Sequence, residues 1–102
     1  MYRLVWEFDA KSERVTDFEK VYAIDGRWAT FFKQSPDYLG TDLYKNVSNS
    51  TRFVAVDTWR SRVAYEAFRK ANSAEYAKLD DWCRQLLAHE RMLGSTDDGR
   101  ET

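Results

Sequence analysis

The spacing of apolar residues changes several times along the chain, and each change marks an element. From Tyr2 to Phe8 the residues alternate: Tyr2, Leu4, Trp6 and Phe8 fall on one side, Arg3, Val5 and Glu7 on the other. A period of two predicts a strand. From Glu13 the spacing becomes three and four, through Val15, Phe18, Val21 and Tyr22 and then Trp28, Ala29 and Phe32. That stripe predicts an amphipathic helix. Ser12 is one candidate cap for it, and Thr16-x-x-Glu19 is an alternative capping box. Asp25-Gly26 interrupts the stripe, so the helix is expected in two parts that end before Pro36. Tyr38–Lys45 and Arg52–Trp59 read as strands joined by the turn-rich Asn46–Ser50, which makes a hairpin. Ser61 then caps a helix that carries Ala64, Tyr65 and Phe68 on one stripe. Asn72-Ser73 breaks it, and Ser73 caps a further helix to about Leu87, with Tyr76, Leu79, Cys83, Leu86 and Leu87 inward. His89–Leu93 is expected as a short last strand. Ser95–Thr102 contains no apolar residue and is expected to be a disordered tail.

The element order is β-α-β-β-α-β. It predicts an α+β, ferredoxin-like fold with an antiparallel sheet and helices on one face. Residues 1–94 form the expected single domain. The strand patterns add a second expectation. Phe53, Ala55, Asp57 and Trp59 alternate with Val54, Val56 and Thr58, and the first strand keeps Val5 on its second face. Neither side of the sheet is polar throughout, and one layer of helices covers only one side. An apolar, aromatic open face is a place for a partner. Packing of that face on a second copy, as an isologous homodimer, is the simplest solution.

Composition narrows the function classes. The chain has 102 residues, and its 16 Lys and Arg against 17 Asp and Glu leave a net charge of −1. A phosphate-neutralising nucleic-acid binder usually has a basic surplus. The βαββαβ element order is also that of the RNA recognition motif, but the chain lacks an RNP1-like string. Cys83 is the only cysteine, so neither an internal disulfide nor a cysteine-cluster zinc site is available. The N-terminus lacks a long apolar core like that of a signal peptide, and no apolar run approaches ~18 residues. A cytoplasmic protein without membrane attachment is therefore expected. No G-x-G-x-x-G, P-loop or H-E-x-x-H motif occurs. The aromatic load is heavy, with 4 Trp, 6 Tyr and 6 Phe. It is expected to be divided between core, open face and a pocket.

Five segments together resemble the antibiotic biosynthesis monooxygenase superfamily of dimeric α+β barrels. They are Phe18–Tyr22, Asp25–Ala29 with Phe32, Tyr38–Leu43, Asp57-Thr58-Trp59-x-Ser61 and Glu90-x-x-x-Gly94. The likeness runs over about residues 2–94. Asp37 stands where many relatives have Gly. The resemblance implies a homodimer whose sheets form a barrel, with a pocket in each protomer between helices and sheet. It also implies either a cofactor-independent monooxygenase acting on a small aromatic or quinol-like substrate, or a non-catalytic, dimeric small-ligand-binding or stress-related module. In the heme-degrading branch a helix Trp precedes a proximal His by about ten positions. Here Phe68 and Lys78 occupy those places, so the axial ligand is missing. No cofactor and no metal are expected.

Two groups are candidate acids or bases. His89 has the one side chain that titrates near neutrality without perturbation; its alternative is a surface histidine at a strand edge. Asp57 sits among apolar residues, where a carboxyl needs a partner or a raised pKa. Its alternative is a carboxylate paired with Arg60 or Arg62. Trp28, Phe32, Tyr44, Trp59, Tyr65 and Phe68 are the candidate lining of an aromatic pocket. Core packing is the competing role for each, and Trp59, within the D-x-W-x-S segment, is the strongest candidate. Tyr44 and Tyr22 are possible hydrogen-bond donors to a substrate oxygen. Glu7 and Glu90 are expected to pair with Arg3, Arg52 or Arg91 across the sheet. Cys83 is expected as a small buried hydrophobe.

Overall fold

In the computed structural model, which describes residues 1–99, the chain runs through four strands and four α-helices. Strand β1 spans Tyr2–Ala10. After one 3₁₀ turn come α1 (Val15–Tyr22) and α2 (Arg27–Phe32). Then follow β2 (Tyr38–Lys45), β3 (Arg52–Trp59), α3 (Arg62–Ala71), α4 (Ser73–Cys83), a second 3₁₀ turn and β4 (Leu87–Asp97). The sheet is antiparallel in the order β2-β3-β1-β4. This is the ferredoxin-like α+β fold expected from the pattern.

The helix break has a steric cause. A Cβ on Gly26 would lie 2.4 Å from the Val21 carbonyl oxygen and 2.5 Å from that of Lys20. The chain therefore folds back tightly on the end of α1 only where no side chain intervenes. Neither expected cap forms there: Ser12 Oγ donates to the Glu13 carboxylate instead, and α1 has no side-chain cap. Ser61 does cap α3, accepting from the Ala64 N–H at 3.1 Å. Asn72, not Ser73, precedes α4, and its side-chain amide donates back to the Phe68 carbonyl. The last helix ends at Cys83, and Leu87 already belongs to β4.

The last strand is longer than expected. Residues 95–97 are strand rather than tail, with Ser95 opposite Leu4 and Asp97 opposite Tyr2. The lack of apolar residues there misleads because β4 is an edge strand, exposed along nearly all its length, with no inner face to bury. Residues 100–102, also assigned to the tail, lie outside the described residues.

Register fixes the two faces. On the helix side Tyr2 faces Trp59, Leu4 faces Asp57, Trp6 faces Ala55 and Phe8 faces Phe53. On the open side Arg3 faces Thr58, Val5 faces Val56, Glu7 faces Val54 and Asp9 faces Arg52. Nearly all the aromatic residues pack on the helix side; Tyr44, on the open side, and Trp82 are more than a third exposed. The aromatics therefore do not spread over both faces, because the helix layer absorbs them. The open face instead carries a β-branched centre, Val5, Val54, Val56 and Thr58. Arg52–Asp9 (3.0 Å) and Arg91–Glu7 (3.5 Å) are ion pairs on the same side.

Candidate functional site

The sheet and helices do not close completely. Between them lies a cavity of about 270 Å³, just below the ~300–1,000 Å³ usual for ligand pockets. Trp6 and Phe8 of β1, Ala55 of β3, Tyr22 of α1 and Trp28 and Phe32 of α2 form its apolar wall. Thr41, Asp57, Arg69, Tyr76, Asp80 and Glu90 add the polar groups.

A bulge in β2 builds the first polar cluster. Tyr38 pairs with Trp59, but Gly40 pairs with Thr58, so Leu39 is an extra residue. Gly40 has a φ of 137°, a conformation that L side chains rarely adopt. The inserted residue turns Thr41 to the inner face, directly opposite Asp57. The Thr41 hydroxyl donates to Asp57 Oδ1 at 2.5 Å, and it also hydrogen-bonds the Tyr38 hydroxyl. Among the described residues nothing donates to Asp57 Oδ2. Burial pushes the Asp57 carboxyl up to about 6, and the Thr41 hydrogen bond works against that rise. Burial likewise pushes Tyr38 up to about 12, so it stays a neutral donor. The arrangement holds one carboxylate oxygen and leaves the second without a protein donor.

Arg69 comes from α3, on the side opposite the sheet. Its guanidinium lies 3.6 Å from the centre of the Tyr76 ring and donates to the Tyr65 hydroxyl at 2.9 Å. Among the described residues no carboxylate comes within ion-pair distance of it. Its Nε is buried without a hydrogen-bond partner. Burial opposes its charge, but Tyr65, Tyr76 and the more distant Asp80 carboxylate together outweigh that effect. Asp80 and Glu90 complete the rim. Burial raises the Glu90 carboxyl, and the nearby Asp80 carboxylate adds to the rise.

Of the candidate residues, the structure brings Trp28, Phe32 and Asp57 to one cavity, with Tyr22 beside them. His89 is exposed on β4 and faces Asp9, away from the cavity. Tyr44 is 58% exposed on the open face, opposite Val54. Trp59 is fully buried; the rings of Phe32, Tyr38, Tyr65 and Phe68 enclose it at 5.3–5.5 Å. Phe68 is core as well, and Tyr65 supports the site from behind through Arg69. Asp57 is not the partner of Arg60, which pairs with Asp37 at 3.2 Å. Glu7 pairs with Arg91, whereas Glu90 lines the cavity. Cys83 is fully buried.

Thr41, Arg69 and Asp80 were not singled out from sequence. Alternation across an uninterrupted β2 puts Thr41 on the same side as Leu39 and Leu43, and nothing short of the β2–β3 register ties it to Asp57. Arg69 and Asp80 look like ordinary charges on helix surfaces. No described cluster of three His, Cys, Asp or Glu has metal-site geometry, and no described helix is long and apolar enough to cross a membrane.

A family model for antibiotic biosynthesis monooxygenases matches residues 1–78. The fold is also that of several solved structures. SnoaB from Streptomyces nogalater, a cofactor-independent oxygenase, is 20% identical with a TM-score of 0.76, over 99% of this chain and 94% of that one. A Pseudomonas aeruginosa protein is 18% identical with a TM-score of 0.67, over 93% and 90%. A conserved Methanosarcina mazei protein is 10% identical with a TM-score of 0.69, over 93% and 89%. At such identities the likeness is one of fold. No curated protein matches the chain.

Proposed function

Because the chain belongs to the antibiotic biosynthesis monooxygenase family, we propose that it is a cofactor-independent monooxygenase acting on a small aromatic or quinol-like substrate in this cavity. The observation that carries the proposal is Asp57. It is a half-buried carboxyl that desolvation pushes up to about 6, held on one oxygen, at the wall of a cavity lined by aromatic rings. A base with a pKa somewhat below the working pH is ionised yet still a competent proton acceptor.

The chemistry needs no redox group from the protein. Asp57 takes a proton from the activated methylene of an anthrone-like ring. The resulting carbanion is delocalised onto the ring oxygen, where Arg69 is the available cation. The anion passes one electron to O2, and the radical pair joins to give a carbon-bound peroxide. Loss of water leaves a carbonyl. One oxygen atom stays in the product, and the other departs with both methylene hydrogens as water. Exclusion of bulk water by the aromatic wall protects the anion. The protein also works as a homodimer, joined through the β-branched open face.

The test is oxygen uptake on a panel of anthrones and quinols with no added cofactor. Turnover in the wild type and its loss in Asp57→Asn support the reading. Tight binding of such compounds without any oxygen uptake overturns it and favours the non-catalytic ligand-binding module, for which the small aromatic-lined cavity is the supporting observation.

A further inference from the structure

We propose that the cavity is charge-selective: it accepts uncharged hydroxyaromatic molecules and rejects those bearing a carboxylate. The inference rests on the cavity being the ligand site, as proposed above. The cavity wall carries three carboxyl side chains, Asp57, Asp80 and Glu90, and one guanidinium, Arg69. Arg84, in the 3₁₀ turn after α4, reaches Asp80 at 3.6 Å and partly offsets the rise of Glu90, but it is not part of the wall. Arg69 already donates to the Tyr65 hydroxyl and stacks on the Tyr76 ring, and its single positive charge faces three carboxyl groups. The repulsion is already felt among the side chains, since Asp80 makes Glu90 harder to ionise.

A ligand carboxylate would add a fourth negative group to a confined, mostly apolar space. At low salt the repulsion acts across this half-open space, and the ion also gives up part of its hydration. A neutral hydroxyaromatic adds no charge on entry. Proton transfer to Asp57 then conserves the charge of the cavity, because Asp57 becomes neutral as the ligand becomes an anion. The chemistry proposed above is thus compatible with an acidic wall, whereas an anionic ligand is not. The same reasoning excludes phosphorylated and coenzyme A-linked aromatics.

The test uses a matched pair, 6-hydroxy-2-naphthamide and 6-hydroxy-2-naphthoate, which differ in charge but hardly in shape. Calorimetric titration of the full chain near neutral pH and low salt is expected to show the amide binding about tenfold or more tighter than the carboxylate. Glu90→Gln is expected to narrow that gap several-fold by strengthening carboxylate binding. Glu90 is exposed on an edge strand, so this variant keeps the fold. Equal or tighter binding of the carboxylate, seated on Arg69, overturns the proposal and leaves the cavity as the ligand site. Failure of both compounds to bind overturns the cavity as a site for such aromatics, and with it both readings.

Discussion

Asp57 stands at the centre of the site because its surroundings oppose its charge. Its carboxyl is raised from the ordinary aspartate value of 3.8 to about 6 by desolvation, so the folded protein holds a proton more tightly than the unfolded chain does. A group raised in this way stabilises the fold at low pH relative to high pH, and that contribution is lost as pH climbs from about 4 through about 6. Asp57→Asn removes the desolvated charge and keeps an acceptor for Thr41. The variant is expected to be more stable than wild type above about pH 7, by roughly 2–3 kcal/mol, with the gain vanishing near pH 4. Urea titrations of both proteins at the two pH values measure this; equal stability at both would show that Asp57 is not held against its charge. Asp57 was recognisable in the sequence because a carboxyl interrupts an apolar strand pattern. Its partner was not: the pairing with Thr41 depends on a register shift that no residue in β2 announces except Gly40.

That shift is a property of the element rather than of any one side chain. The bulge at Leu39–Gly40 gives β2 two inner-facing hydroxyl residues, Tyr38 and Thr41, three positions apart instead of two. Gly40 meets no atom within 4 Å of where a Cβ would stand, so a substitution there is opposed by backbone strain alone. Gly40→Val is expected to cost about 1–3 kcal/mol and to loosen the Thr41–Asp57 hydrogen bond. Thermal unfolding reports the first effect, and a carboxyl resonance of Asp57 titrating at higher pH reports the second. Unchanged stability and titration would mean that the bulge is not what holds the pair. The other elements were legible to different degrees. β2 and β3 emerge at their expected bounds, and the Asp25-Gly26 break falls where expected. The ends of α4 and β4 were misplaced, because an edge strand needs no apolar alternation and a 3₁₀ turn continues the helical stripe through Leu86.

At the scale of the molecule, the helix layer takes up the aromatic residues and leaves an aliphatic sheet face uncovered. Val5, Val54 and Val56 lie together there, flanked by the Asp9–Arg52 and Glu7–Arg91 pairs. A dimer through this face gives a sedimenting mass near twice the 12.1 kDa of the chain. Val56→Arg, which sets a charge at the centre of the face, is expected to shift the mass to that of the monomer while leaving helix content unchanged; a variant that still sediments as a dimer would place the interface elsewhere. The fold, the order of elements along the chain and the family were legible in the sequence, because periodicity and motif spacing encode them. The cavity was only partly so, since its polar wall is assembled from residues distant in sequence, on β2, β3, α3, α4 and β4. The most direct test of that assembly is the pH dependence of cofactor-free oxygen uptake with an anthrone-like substrate. Asp57 as the base predicts turnover that rises with pH through about 6 and is lost in Asp57→Asn, whereas turnover that persists in Asp57→Asn with the same pH profile would contradict it.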